Sequence, residues 1–263
     1  MDLKQYYNFP DGANVKLQFT PHFWGDKENF SFSGTLDNMF YEYKGVYVPQ
    51  MDVTNATSMS KMFYYCNNLI YINGLDKWKT SNVTNMSNMF YYTKMNKLIT
   101  DGFKYWDVSK VTNMESTFSN SFGNSAKTNK LDISNWDTSN VKIMKSMFDG
   151  CTFLKEISSI RADSVTDIYS SYSGLFGYGT METLTDFGGL INLKCSAGAY
   201  CFPKCPNLNY QSCINILNGL YDFVGNQETP GTNQGTLKVH TNFLTTVGDD
   251  IAIGTNKGWT ITA

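Results

Sequence analysis

The sequence predicts an α/β solenoid whose coils of about 28 residues each hold one strand and one short helix, with a cap at each end. Four consecutive segments share the pattern W-D-T-S-N-V-T-N-M-S-x-M-F. Their phenylalanines, Phe63, Phe90, Phe118 and Phe148, recur at steps of 27, 28 and 30 residues. Each copy combines helix-like apolar spacing with a short strand-like stretch, and this size is typical of a leucine-rich-repeat coil.

The repeats extend on both sides of these four copies. The copies begin at Met51, Trp78, Trp106 and Trp136. A degenerate earlier copy ends at residues 36–40, and a later copy with an insertion contains residues 164–168 followed by Leu175 and Phe176. Because several residue types recur in the same order, the pattern predicts repeats over residues 36–184.

Within one copy, the apolar side chains of the segment 83–90 occupy its first, fourth, seventh and eighth positions. This spacing predicts a short helix with one apolar face, and Ser81 or Asn82 would be its N-cap. The apolar stretches 69–72 and 131–133 follow polar turns, and they predict short strands.

One coil cannot bury its apolar face alone, so neighbouring coils are expected to stack and share a core. The predicted core comprises Trp78, Trp106, Trp136, Phe63, Phe90, Phe118, Phe148, Met59, Met86, Met114 and Met144. A methionine-lined binding groove is the alternative, but recurrence at the repeat spacing favours core packing. Cys66 and Cys151 follow the repeat phenylalanine by three residues, and we interpret them as small buried apolar residues.

The extended motif W-D-T-S-N-V-T-N-M-S-x-M-F-x-x-C-x-x-L resembles the repeat of BspA-like leucine-rich-repeat surface proteins, a mycoplasma-type repeat of unknown function. The resemblance implies that the solenoid is right-handed and serves adhesion, display or host contact. It implies no shared catalytic residue. The chain departs from the motif at Met51, Lys79, Thr93 and Thr117, which predicts irregular coils.

The flanks of the repeats are interpreted as caps. Residues 1–35 would form an N-terminal cap or attachment segment, in which aromatic side chains cover the first coil, namely Phe19, Phe23, Trp24, Phe30 and Phe32. Residues 36–184 form the repeat solenoid, and residues 185–263 form irregular terminal coils and a C-terminal cap. Within this cap the sequence predicts a helix that begins near Ser212, a strand over 237–240, a helix over 243–257 that Gly258 ends, and a strand over 259–262.

Composition and charge argue against two classes of partner. Charged residues make up 17 % of the 263 residues, against about 25 % in an ordinary soluble domain, and the net charge is −2 with scattered lysines. This pattern argues against a nucleic-acid partner, since phosphate backbones require clustered positive charge. No run of about 18 apolar residues occurs, so we expect no membrane insertion.

The sequence offers little for catalysis. The two histidines, His22 and His240, lie in opposite caps without a nucleophile motif beside them, so we expect no catalytic residue and no cofactor. An enzyme that uses the C-terminal cap is the less favoured alternative.

Metal binding is also not expected. The spacing of Cys195, Cys201, Cys205 and Cys213 matches no paired CxxC zinc pattern, so buried free thiols are favoured over a disulfide or a zinc site. A calcium ladder would use Asp101, Asp107, Asp132 and Asp137. These acids are not clustered as they are in a calcium-binding loop.

The candidate binding surface consists of Tyr64, Tyr65, Tyr91 and Tyr92, which follow the repeat phenylalanine in two consecutive coils. Tyrosine supplies contact area and a polar tip at low entropic cost, which suits recognition of a protein or a glycan. The alternative is that these residues pack in turns between adjacent coils.

The expected setting is a phage virion. The first 19 residues lack the apolar segment of a standard signal peptide, and the C-terminal segment resembles endings of repeat proteins from gut bacteria and their phages. We therefore expect a fibre, tail or capsid-decoration protein, made in the host cytoplasm, that attaches to a host or mucosal surface. Its partners would be a virion scaffold or further copies of itself, as in a homotrimer, together with a host surface protein or glycan. A bacterial cell-surface adhesin is the alternative.

Overall fold

The structure is a computed structural model that describes residues 14–18, 29–123, 127–168, 174–177, 180–232 and 234–263. Its regular elements are short and are separated by turns. The strands are β1 (Asn14–Gln18), β2 (Asn29–Thr35), β3 (Tyr47–Val48), β4 (Met51–Ser58), β5 (Tyr71–Ile72), β6 (Lys130–Leu131), β7 (Glu156–Ile157), β8 (Ile160–Arg161), β9 (Asp186–Phe187), β10 (Leu190–Ile191), β11 (Ala197–Phe202), β12 (Thr236–Val239) and β13 (Thr260–Thr262). The helices are α1 (Lys97–Thr100), α2 (Tyr210–Gly219), α3 (Thr241–Val247) and α4 (Ala252–Thr255), with 3₁₀ turns at Leu75–Lys77, Asp101–Tyr105 and Gly248–Ile251.

Each repeat is joined to the next by parallel backbone pairing. Isolated parallel bridges connect equivalent positions of successive repeats, and they form the series Ser58, Asn85, Asn113, Ile143 and Asp167. Parallel two-residue strands add to this pairing, with β3 on β5, β6 on β7, β7 on β9 and β8 on β10. Successive repeats therefore lie side by side in one direction. A right-handed solenoid remains our proposal for their path, and this parallel pairing supports it.

The predicted helix over 83–90 is wrong, because this segment is a series of turns. Alternate amides point out of the segment, and the amide of Asn88 donates to the carbonyl of Glu115 at 2.8 Å in the next repeat. The amides between them close turns, as when Met89 donates to Met86 at 3.2 Å. Asn88 adopts a φ of 57°, which no α-helix contains. The apolar spacing reflects a turn series that also buries one face.

The predicted N-cap residues instead link repeats or form local turns. The amide nitrogen of the Asn82 side chain donates to the carbonyl of Thr54 at 2.9 Å, 28 residues earlier. The Asp of the repeat motif accepts from the backbone amide two residues later, as Asp137 does from Ser139 at 3.1 Å. This local bond is the Asx turn that favours Asp in such loops.

The predicted core side chains are all buried, with at most 5 % exposure. The indole rings of Trp78 and Trp106 stack with centroids 5.7 Å apart, and those of Trp106 and Trp136 stack at 6.1 Å. A second column runs through the repeat phenylalanines with neighbouring centroids 5.3 to 6.0 Å apart, and its members are Phe40, Phe63, Phe90, Phe118, Phe148 and Phe176. The column thus includes the degenerate copies at both ends.

The C-terminal region corrects two predicted helices and confirms two predicted strands. Helix α2 begins at Tyr210, and its N-cap is Asn209, whose side chain accepts from the amide of Ser212 at 2.8 Å. The predicted helix over 243–257 is broken into α3, a 3₁₀ turn and α4 where Gly248 takes a φ of 52°. The predicted strands at 237–240 and 259–262 are confirmed as β12 and β13, which pair in parallel.

At the N-terminal end, β2 pairs antiparallel with β1 and parallel with β4. Phe32, in β2, is buried and joins the common core. The predicted capping residues Phe19, Phe23 and Trp24 and the histidine His22 lie outside the described residues.

Candidate functional site

The four tyrosines of the candidate binding surface are neighbours in the structure. The backbone amide of Tyr65 donates to the carbonyl of Tyr91 at 2.8 Å, which holds the two repeats in register. The rings of Tyr64 and Tyr91 stack with centroids 4.6 Å apart, and those of Tyr65 and Tyr92 stack at 4.9 Å. Tyr64 and Tyr65 are 4.9 Å apart within one repeat. The result is two rows of aromatic rings side by side.

A fifth tyrosine extends the first row. The ring of Tyr41 stacks on that of Tyr64 with centroids 5.0 Å apart. Tyr41 follows Phe40 as Tyr64 follows Phe63, so alignment of the degenerate first copy could have identified it. We call the five residues Tyr41, Tyr64, Tyr65, Tyr91 and Tyr92 the tyrosine ladder.

The tyrosine ladder both packs between repeats and faces solvent. Tyr92 is 44 % exposed, and the other four side chains are half-buried. Burial, and then the proximity of the other phenols, raises the pKa of Tyr64 and Tyr91. These two phenols are therefore neutral at physiological pH, and the ladder combines apolar ring surface with polar tips.

The tyrosine ladder ends after Tyr92. In the next repeat its two positions are occupied by Ser119, which is buried, and Asn120. In the repeat after that they are occupied by Asp149 and Gly150, and a side chain at Gly150 would meet the Asn120 carboxamide. The aromatic surface is thus confined to the first three copies of the repeat.

The repeats that carry the tyrosine ladder match a known family model, described as Mycoplasma protein of unknown function, DUF285, over residues 34–125 and 57–178. Together the two matches span more than half of the chain. The chain belongs to the DUF285 family. This confirms the resemblance to the BspA-like, mycoplasma-type repeat. No curated protein and no solved structure matches the chain.

One position of this DUF285 repeat donates a hydrogen bond in each of the four full copies. Its cysteines, Cys66 and Cys151, are buried as the sequence predicted, and their thiols also act as donors. The thiols of Cys66 and Cys151 donate to the carbonyls of Phe40 and Phe118, each at 3.0 Å in the preceding repeat. At the equivalent position the hydroxyls of Thr93 and Ser121 donate to the carbonyls of Phe63 and Phe90. Thr93 is therefore a functional equivalent of the motif cysteine.

A second departure from the motif places another polar side chain in the core, and its hydroxyl also has hydrogen-bond partners. Thr117 stands where the motif has Met and is 1 % exposed. Its hydroxyl lies 3.0 Å from the carbonyl oxygen of Met86 and 2.9 Å from that of Met114. A buried hydroxyl with carbonyl partners avoids the cost of an unpaired polar group, so the repeat geometry is kept.

All six cysteines of this DUF285 protein are buried, and none of them is in a disulfide bond. Burial raises the pKa of Cys195 to about 12 and that of Cys213 to about 11. These thiols therefore remain protonated near neutral pH, where thiolate chemistry needs a lowered pKa.

The other residues considered for chemistry have structural roles in the described part of the chain. His240 is the N-cap of α3, and its Nδ1 accepts from the amide of Asn242 at 3.1 Å. Hydrogen bonds from serines lower the pKa of the carboxyls of Asp107, Asp132 and Asp137. Within the described ranges, no group of three or more His, Cys, Asp or Glu side chains is arranged to hold a metal ion.

In the part of the chain that the structure describes, no helix is both long enough and apolar enough to cross a bilayer.

Proposed function

We propose that this chain is a non-catalytic adhesive protein, and that the tyrosine ladder is its contact surface for a host or mucosal glycoprotein. The main observation behind this proposal is that five tyrosine rings stack across three consecutive repeats, with Tyr92 at the exposed edge of the ladder. Each ring is fixed by its neighbours, so binding would cost little side-chain entropy. Such rigid aromatic anchors are enriched where proteins recognise partners.

The electrostatics of the ladder agree with this role. The raised pKa values of Tyr64 and Tyr91 keep these two phenols neutral near pH 7, and the ammonium group of Lys61 lies 5.9 Å from the centroid of the Tyr64 ring. An aromatic surface with polar tips suits the apolar faces of sugar rings and the side chains of a protein partner.

The test is binding of the full chain to immobilised mucin, measured by biolayer interferometry. We expect saturable binding that Tyr65→Ala/Tyr92→Ala weakens at least about tenfold, a loss of about 1.4 kcal/mol. Tyr105→Ala is the matched control, since Tyr105 is 65 % exposed but lies outside the ladder. Absence of binding, or equal loss in the control, would contradict the proposal.

We further propose a virion as the setting, with the chain in a fibre, tail or capsid decoration and its caps joining a scaffold or further copies in a homotrimer. The resemblance of the C-terminal segment to phage-encoded repeat proteins supports this setting. A bacterial surface adhesin is the alternative. Mass spectrometry of purified virions against surface-protein fractions of the bacterial host distinguishes the two, and detection in the surface fraction alone would favour the adhesin.

A further inference from the structure

A cleft of about 310 Å³ lies beside the strands β3 and β5, at the end of the turns that carry the tyrosine ladder. We call it the lysine–asparagine cleft. Its lining includes Val46, Asn67, Asn68, Ile70, Lys94 and Lys127. Its volume is at the lower end of the range of small-ligand sites. Three different parts of the chain, near residues 46, 67–70 and 94–96, build it together with Lys127.

The charge of the cleft is positive. Lys94 and Lys127 are both exposed, and no lining residue is acidic. Among the described residues, neither ammonium group has a carboxylate within ion-pair distance, whereas Lys130 in a second cleft is paired with Glu156 at 2.8 Å. Two ammonium groups without a carboxylate partner favour an anionic ligand.

The cleft also contains a buried hydrogen-bond acceptor. The side-chain oxygen Oδ1 of Asn67 is buried, and no donor in the described part of the chain reaches it. Neighbouring carboxamides are already engaged, since Asn68 donates to the carbonyl of Lys44 at 3.2 Å and Asn96 donates to that of Ile70 at 3.1 Å. A buried acceptor without a partner is costly, so a ligand that brings a donor would be favoured there.

The wall of the cleft is apolar and continues outward. Val46 is 54 % exposed and Ile70 is 46 % exposed. The residues that follow them, Tyr47 in β3 and Tyr71 in β5, are also exposed, and the centroids of these two rings lie 5.8 Å apart. Aliphatic and aromatic surface at this point can pack against the C–H face of a sugar ring.

We propose that the lysine–asparagine cleft binds a carboxylated pyranose, such as a uronic acid or a sialic acid. A carboxylate would pair with Lys94 and Lys127, and the ring face would pack on Val46 and Ile70. The Asn67 side chain would turn its buried Oδ1 into the cleft to accept a hydrogen bond from a ring hydroxyl. An inorganic anion without a proton to donate leaves Asn67 unsatisfied, and a neutral sugar leaves both ammonium groups unpaired. This site lies beyond the tyrosine ladder, and the inference does not depend on the proposed function.

The experiment is an NMR titration of the isotope-labelled full chain with methyl glucuronide and methyl sialoside, and in parallel with methyl glucoside and inorganic sulfate. We expect at least one carboxylated glycoside to shift resonances of the cleft residues, with an affinity about tenfold or more above those for glucoside and sulfate. Free glucuronic acid is included to distinguish a free sugar acid from the end of a glycan.

The variants separate the two contacts. Lys94→Ala/Lys127→Ala should abolish the shifts, whereas Lys142→Ala/Lys238→Ala, which removes the same charge from exposed lysines elsewhere, should keep them. Asn67→Ala should weaken binding of the carboxylated glycoside but leave any residual sulfate binding unchanged. Equal binding of glucoside, sulfate binding as tight as that of the glycosides, or no shift with either carboxylated glycoside overturns the proposal. Since these probes are small molecules in solution, their failure would leave mucin binding by the tyrosine ladder unaffected.

Discussion

The thiol of Cys151 donates a hydrogen bond to the carbonyl oxygen of Phe118, 3.0 Å away in the preceding repeat. Ser121, one repeat earlier, makes the equivalent bond to Phe90 with its hydroxyl. The bond fastens neighbouring repeats beside the phenylalanine column. This hydrogen bond explains why a small residue with a donor side chain (Cys, Thr or Ser) occupies this position in the four full copies.

We expect Cys151→Ser to be more stable than Cys151→Ala by about 1 kcal/mol, because serine can still donate to the Phe118 carbonyl. Alanine removes this inter-repeat bond and leaves the carbonyl with the backbone amide of Ser121, at 2.9 Å, as its donor. Guanidinium unfolding followed by circular dichroism measures the difference. Equal stability of the two variants would show that the thiol acts only as apolar filling.

The buried thiols predict a pH dependence. Burial raises the pKa of the Cys66 and Cys151 thiols from the ordinary value of 9.0 to about 12. Below pH 9 both states keep the proton and stability is unaffected, whereas between pH 9 and about 12 only the unfolded chain loses it. The free energy of unfolding should therefore fall with rising pH, by about 1.4 kcal/mol per pH unit for each thiol.

The control for this pH dependence is Cys66→Ser/Cys151→Ser, which removes both thiols and keeps the donors. Its unfolding free energy should fall less steeply than that of the original chain between pH 9 and 10.5. Identical slopes would assign the dependence to other groups.

The sequence predicted which side chains recur in the core because burial follows from apolar periodicity. It did not predict the turn series at residues 83–90, since a helix and successive turns can both place Val83, Met86 and Phe90 on one face. The distinction lies in whether amides bond within the segment or to the next repeat. The lysine–asparagine cleft was missed for a similar reason. Asn67 and Lys127 belong to repeats that are not adjacent, and they line one cleft only because the successive repeats lie side by side.

The turn series predicts a stabilising glycine. Ser116 has a φ of 54°, a left-handed conformation that disfavours residues with a Cβ atom. Ser116→Gly should relieve this cost, and after the added entropy of the unfolded chain we expect a gain of about 0.5 kcal/mol.

Ser116→Ala is the matched control for this glycine, because it retains the Cβ atom at the same backbone angle. It should be no more stable than the original chain. Thermal unfolding of the three proteins in parallel gives the order, and a glycine variant less stable than the alanine variant would contradict the argument.

In the tryptophan column, the same Trp→Phe substitution should lower the free energy of unfolding by different amounts at different positions. The indole N–H of Trp106 donates to the carbonyl of Leu75 at 3.1 Å, whereas the buried N–H of Trp78 has no acceptor among the described residues. Trp106→Phe removes ring volume and also leaves the Leu75 carbonyl without this donor, while Trp78→Phe removes ring volume together with an unpaired polar group. We therefore expect Trp106→Phe to be more destabilising by about 1–2 kcal/mol. Trp136→Phe should behave like Trp106→Phe, since Trp136 donates to Phe103 at 2.9 Å. Guanidinium unfolding of the three variants measures this order, and a Trp78→Phe cost equal to the other two would mean that packing alone determines the stability of the column.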